Sequence, residues 1–234
     1  MKFASFDVEI VNDFPEDGSW SKELGISCAA IAYTGKEEVD FYHAPSGLSS
    51  RDAKTLVVDL ALAEQRGYKI VTWNGAKFDF RVLADVSGMY SSCAELAMNH
   101  LDMMLWVTFQ KGYYLGLEAA LKGAGVKGKL KEVALKDGTV LTDMSGAKAP
   151  ELWKAGEYDA VLEYLKDDVL QPLELAHKID DQKRLHWRSK SGKPQMVNVP
   201  TLWTVKECFD LPKPNVSWMT NPPKREDFID WMKE

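Results

Sequence analysis

Phe3-Ala4-Ser5-Phe6-Asp7-Val8-Glu9-Ile10-Val11 combines strand-forming residues with two acids two positions apart. In a strand, positions i and i+2 project from one face, so Asp7 and Glu9 stand side by side. Their neighbours Phe3, Phe6, Val8, Ile10 and Val11 have the character of buried residues. Two like charges on a buried strand repel, and without a cation to share, one carboxyl is driven toward its neutral form. An edge strand with a solvated acidic face is the plainer alternative from this segment alone.

Outward from that strand, residues 26–33 supply a second one, Thr34-Gly35-Lys36 reads as a hairpin turn, and residues 39–43 supply a third. Leu56, Leu60 and Ala63 fall at helical spacing within residues 49–66. Residues 69–73 form a short apolar strand that Asn74-Gly75 breaks, and Phe78, Val82, Leu83 and Val86 give the next helix an apolar face. The order is β-β-β-α-β-α. A helix near 92–99 leads to residues 101–109, read as a further strand, and another helix follows near 115–122. Residues 123–149, rich in glycine and lysine, read as an irregular insertion with one hairpin around 133–141. Leu162, Leu165, Val169, Leu173 and Ala176 mark the longest helix, which Pro172 is expected to kink or interrupt. Beyond Gln182 lie six of the ten prolines and four of the eight tryptophans, which suggests an extended arm wrapped around the rest. The expected division is therefore a domain over 1–182 and an arm over 183–234 packed on it.

A length of 234 residues suits one substantial core, and 45% apolar with 27% charged residues excludes collagen-like, coiled-coil and disordered chains. Twenty-nine basic against 35 acidic side chains leave a net charge of −6, which argues against binding nucleic acid through bulk charge but not against a local basic track. Cys28, Cys93 and Cys208 are odd in number and far apart, so neither a disulfide framework nor a zinc site is indicated. With no leader-like or membrane-length apolar run, a soluble, intracellular (cytoplasmic) monomer is expected.

Two further segments carry chemistry. Asn74-Gly75-Ala76-Lys77-Phe78-Asp79 joins a strand end to a helix start, where functional loops of α/β folds sit, although Asn-Gly is also a hairpin signal. In Tyr164-Leu165-Lys166-Asp167-Asp168, Tyr164 and Asp168 are one helical turn apart. Taken alone, that segment reads better as a solvated helix face with a partly buried tyrosine, and Asp167 rivals Asp168 on geometry alone.

Together, D-x-E on a first strand, N-x-x-x-F-D at a strand–helix junction and Y-x-x-x-D on a late helix resemble the three motifs of the DEDDy 3′–5′ exonucleases. The sequence is especially similar to the exonuclease domains of family B DNA polymerases, and the resemblance spans roughly residues 1–180. The histidine subclass would place His where Glu163 stands; Tyr164, four before Asp168, indicates the tyrosine subclass. The resemblance implies a ribonuclease H-like α/β fold with a mixed five-stranded sheet, three antiparallel strands and then parallel ones, flanked by helices. It implies Asp7, Glu9, Asp79, Tyr164 and Asp168 as catalytic residues and two Mg²⁺ or Mn²⁺ ions held by Asp7, Glu9, Asp79 and Asp168. Four carboxylates without His or Cys suit such hard cations. Tyr164 would orient the attacking water, and Asn74 and Phe78 would position substrate or Asp79. Ile10 stands where many members have a small polar residue.

The implied activity is removal of nucleoside 5′-monophosphates from 3′ ends of single-stranded or frayed DNA. RNA is the nearest alternative substrate, and a non-catalytic binding module or an endonuclease on the same fold are rival classes. Any proofreading role would need a polymerase or a replication or repair partner in trans. Lys183, Arg184, Arg188, Lys190 and Lys193 surround His186 and Trp187 in a stretch without acids, from which Lys183, Arg184, Trp187 and Arg188 are candidates for tracking a single strand. A solvated hairpin turning at Ser191-Gly192 explains the same residues. Lys122, Lys127, Lys129, Lys131 and Lys136 form a weaker second candidate. Gly123-Ala124-Gly125-Val126-Lys127-Gly128 matches G-x-G-x-x-G but follows a helix and opens none, so dinucleotide binding is not expected.

Overall fold

β1 (Phe3–Glu9) is the middle strand of a five-stranded sheet ordered β3-β2-β1-β4-β5 in the computed structural model, which describes residues 1–189 and 191–233. β2 (Cys28–Tyr33) and β3 (Asp40–His43) extend it antiparallel on one side, and β4 (Lys69–Thr72) and β5 (Leu101–Asp102) run parallel on the other. The expected mixed sheet is present, and its central placement of β1 removes the edge-strand alternative.

Alternation along β1 decides the rest. Ala4, Phe6, Val8 and Ile10 enter an apolar layer with α1 (Ser50–Gln65), α2 (Asp79–Ser87) and α3 (Tyr90–Asn99). Phe3, Ser5, Asp7 and Glu9 therefore point to the opposite face. That face is covered by α7 (Tyr158–Gln182), which packs on β1 and β2 over the small residues Cys28, Ala30 and Ala32. α1 begins at a reciprocal cap in which Ser49 and Asp52 satisfy each other's backbone N–H groups.

Three expectations need correction. Residues 101–109 are not one strand: β5 has two residues, and α4 (Met103–Lys111) starts at once because the Asp102 carboxylate caps it through Met104 N–H at 3.1 Å. α7 runs unbroken through Pro172, whose buried ring is held among neighbours, so packing outweighs the missing backbone donor. The segment after Gln182 is less an extended arm than a hairpin of β8 (Arg184–Arg188) and β9 (Pro194–Asn198), a short helix α8 (Val205–Cys208), and two 3-10 turns at Arg225–Phe228 and Asp230–Lys233.

Between α4 and α7 lie α5 (Leu117–Ala124), a small hairpin of β6 (Val133–Ala134) and β7 (Val140–Leu141), and α6 (Ala149–Lys154). Gly123 has a packing reason: a Cβ there would sit 1.7 Å from the carbonyl oxygen of His186 on β8. Gly125 ends α5 in the left-handed conformation at φ 66°, so the glycine-rich run closes a helix. All three cysteines are buried free thiols. No helix among the described residues is long and apolar enough to cross a membrane.

Candidate active site

β4 pairs with β1 only over Phe3–Ser5, so the two parallel strands separate at their carboxyl ends and open a crevice. Asp7 and Glu9 lie on β1 where it passes that opening, on the face toward α7. α7 brings Asp168, only 7% exposed, against them. One carboxylate oxygen from each of Asp7, Glu9 and Asp168 lies within 4.8 Å of the other two. Asp79, 2% exposed at the start of α2, accepts the N–H of Val8 at 3.1 Å, which ties α2 to β1 beside Asp7.

Four acids so placed resist ionisation. Burial, then the charges of Asp79, Asp168 and Glu9, hold Asp7 well above the ordinary carboxylate range. Burial and Asp168 do the same to Glu9. Burial pushes Asp79 up to about 7 against the pull of the Val8 N–H. Asp168 is raised by burial although Lys129 and Tyr164 oppose the shift.

One cation enters the cluster. Lys129 Nζ lies 3.0 Å from Asp168 Oδ2 and donates to the Tyr164 hydroxyl oxygen at 2.8 Å. Burial lowers the lysine pKa, but Asp168, Asp7 and Glu9 outweigh it and hold the ammonium above its ordinary value. Tyr164 is buried, and burial with the nearby Asp168 and Glu9 charges pushes its phenol far up, so it remains protonated at neutral pH. Asp167 lies outside the trio, adding only its charge beside Asp168: it accepts Leu130 N–H at 2.9 Å and bonds to Gln171, which fixes the loop that delivers Lys129.

The loop after β4 is built around Asp102, whose carboxylate accepts the N–H groups of Asn74 at 3.0 Å and Ala76 at 3.1 Å. Burial pushes Asp102 up to about 6 despite these donors. Asn74 adopts φ 76°, uncommon for a residue with a side chain, and Gly75 sits so close to Thr72 that a Cβ would lie 2.4 Å from its hydroxyl. Thr72 also bonds to His100 Nε2 at 2.9 Å, while His100 Nδ1 faces the Ala97 carbonyl at 2.7 Å. That carbonyl accepts only, which assigns the ring proton to Nδ1; burial holds His100 neutral, down to about 3.

Clefts surround the acids. The tightest, about 100 Å³, lies between Trp73, Leu117, Lys129 and Asp168. One of about 390 Å³ opens at Glu9 between Ile10, Phe14, Phe78 and Pro150. Others of about 280 and 650 Å³ share Asn74 and Lys77 and carry Trp20 and Arg81, or Tyr114 and Lys129. Through shared walls they form one aromatic and basic track. Phe14, Trp20 and Phe78 cluster at centroid separations of 6.0, 6.1 and 6.1 Å, with Arg81 stacked 4.2 Å over Trp20.

The structure thus brings Asp7, Glu9, Asp79, Tyr164 and Asp168 together, with Asn74 and Phe78 beside them. The β8–β9 candidates behave differently. Trp187 is 3% exposed and packs on Tyr113, so its ring is closed to stacking bases. Lys183 pairs with Asp180 at 2.6 Å, Arg184 donates to Gln182 and Arg188 to Gly192 across the hairpin turn. Lys190 lies outside the described residues. A cleft of about 800 Å³ beside Lys122, His186 and Arg188 contains none of the four acids. Sequence reasoning missed Asp102, Arg81, Phe14 and Trp20, and set Lys129 only among loop lysines; D-M-M at the start of a helix was the available signal for Asp102.

A family model described as RNase H superfamily matches residues 18–180, more than half of the chain. The chain belongs to the RNase H superfamily. The matched span contains Asp79, Lys129, Tyr164 and Asp168 and begins after β1. Membership points to nuclease activity on nucleic acid, and nucleases of this superfamily usually employ divalent metal ions. No curated protein matches the chain.

Proposed function

We propose that this RNase H superfamily chain is a metal-dependent 3′–5′ exonuclease of the DEDDy type. It acts on single-stranded or frayed DNA ends and releases nucleoside 5′-monophosphates. The observation that carries this reading is the convergence of Asp7, Glu9 and Asp168 from β1 and α7, with Asp79 and Tyr164 against them, at the mouth of an aromatic track.

The donor set fits Mg²⁺ or Mn²⁺. All ligand atoms are carboxylate oxygens, and Asp168 Oδ1 is buried without a hydrogen-bond partner among the described residues. Asp7, Glu9 and Asp168 would hold such ions, with Asp79 joining through its place beside Asp7. Bound there, divalent ions lower the pKa of water and offset charge on a phosphodiester.

The chain's own groups supply the rest. Hydrolysis joins a water oxygen to the terminal phosphorus and breaks its bond to the preceding 3′ oxygen, which leaves with a proton. Tyr164 is too weak an acid to serve as base; its hydroxyl oxygen accepts from Lys129 and its O–H is directed to Asp168, so it would turn to orient water or phosphate once a cation occupies that carboxylate. Lys129 also neutralises part of the acid cluster. Asn74 Oδ1, buried and unpartnered among the described residues, faces the same region as Phe78 and Lys77. Exposed Phe14 and Tyr114 offer ring faces to unpaired bases, which a duplex does not present.

Digestion of matched DNA and RNA strands, single and double, with Mg²⁺ or Mn²⁺ tests the reading. Single-stranded DNA shortened to mononucleotides and preferred over duplex supports it. Preference for RNA would move the substrate to RNA, and inertness of all four substrates would remove the enzyme assignment.

A further inference from the structure

The loop at 74–79 has a brace that arrives from the other end of the chain. Trp231, buried in the last 3-10 turn, donates its indole N–H to the Ala76 carbonyl at 2.9 Å. The backbone N–H of Ala76 donates to Asp102 Oδ2 at 3.1 Å. Ala76 is fully buried, so water is no substitute for either partner, and its backbone is held from both sides. Two neighbouring contacts repeat the pattern. Asp230 Oδ1 lies 3.7 Å from Arg81 Nη1, and the Phe228 ring lies 5.6 Å from Lys77 Nζ. The tail thus touches positions 76, 77 and 81 around Asn74, Phe78 and Asp79.

The tail is itself anchored. Arg225 donates to the carbonyls of Leu211 at 2.7 Å, Pro212 at 2.9 Å, and Phe209 and Phe109 at 3.1 Å, and stacks 4.6 Å over the Phe109 ring on α4. A brace fixed at both ends transmits little freedom to the loop between them.

We propose that Trp231 is a positioning residue for the substrate loop, acting through Ala76 to hold Asn74, Lys77 and Phe78 in the geometry that receives the strand. Asn74 sits at φ 76°, a left-handed conformation that asparagine tolerates better than most residues but still populates less than the right-handed one, so the contacts around it favour the bound geometry. Losing the indole donor leaves a buried carbonyl unpaired, which is the costly way to lose a hydrogen bond. The effect falls on strand binding more than on the Asp7, Glu9 and Asp168 trio, which is carried by β1 and α7. The role in the reaction rests on the exonuclease reading; the brace itself does not.

Trp231→Phe keeps an aromatic ring and removes the N–H. Hydrogen exchange with the full chain is expected to show the amides of Asn74 and Ala76 exchanging about tenfold faster, with β1 and β2 unchanged. KM for a single-stranded oligonucleotide should rise about tenfold, while kcat stays within about twofold and calorimetric Mn²⁺ affinity is unaltered. Unchanged exchange at these amides overturns the proposal whatever the activity, and acceleration spread over the whole sheet overturns it by making Trp231 a general core residue. Accelerated exchange at the loop with no nuclease activity even in the wild-type protein would leave the brace standing and remove the exonuclease reading instead.

Discussion

Lys129 Nζ lies 3.0 Å from Asp168 Oδ2, and the same ammonium holds the Tyr164 hydroxyl. The ion pair joins the loop after α5 to α7 at the point where the acids meet. Lys129→Met should cut activity on the order of 10²-fold, comparable to the loss of one preorganised electrostatic donor. Steady-state rates at saturating Mn²⁺ measure this; an unchanged kcat would reduce Lys129 to a surface lysine.

Asp7→Asn relieves repulsion inside a buried acid cluster while removing a proposed metal ligand. Activity should fall on the order of 10³-fold or more. The metal-free variant should nonetheless melt above the metal-free wild type, and Mn²⁺ should add less to its Tm. Calorimetric scans with and without chelator check both signs.

Tyr164→Phe removes the acceptor of Lys129 and the proposed orienting O–H but no carboxylate. A loss of about 10- to 100-fold is expected, smaller than for Asp7→Asn, with calorimetric Mn²⁺ affinity retained. An equal loss in both variants would argue against a purely orienting role.

The contribution of the buried acids to stability without metal should fall as pH rises, against an opposite and smaller trend from His100, held neutral down to about 3. Asp79 is pushed up to about 7 and Asp102 to about 6, both from an ordinary 3.8, so the folded state binds more protons than the unfolded chain between these limits. Their stabilising contribution is complete below about pH 4 and is lost as pH passes through the folded values. Metal binding needs ionised carboxylates, so the Tm gain from Mn²⁺ should grow over the same range. Asp79→Asn should flatten the metal-free slope; an identical slope would contradict the assignment to Asp79.

Trp187 is closed in by Tyr113 and the β8–β9 hairpin, so Trp187→Ala should cost about 3–5 kcal/mol of stability. Urea denaturation gives the value. Strand affinity lost without loss of stability would restore a binding role to this ring.

Much of this was legible in the sequence because strand alternation is rigid: once Phe3, Phe6 and Val8 mark β1, Asp7 and Glu9 must share a face. The order of the first six elements followed from the same periodicity. What stayed hidden depends on tertiary partners. Residues 101–109 carry the apolar character of a strand, and only the Asp102 cap shows that the chain turns helical after two residues. Lys129 is one of several loop lysines until Asp167 and Leu130 place it. Trp187 and Trp231 are both buried, and nothing in their sequence surroundings says that only the second reaches a backbone carbonyl 155 positions away. The basic run near β8 was the least informative signal, since Lys183 and Arg184 bond to the end of α7 and Arg188 to the turn of its own hairpin.

The most direct measurement is digestion of a 5′-labelled linear single strand beside a covalently closed circle of the same sequence, each with Mg²⁺ and with Mn²⁺. The account predicts a ladder descending from the 3′ end of the linear strand, mononucleotide products and an intact circle. A linear strand that stays full length under both metals, or a circle that is opened, would contradict it.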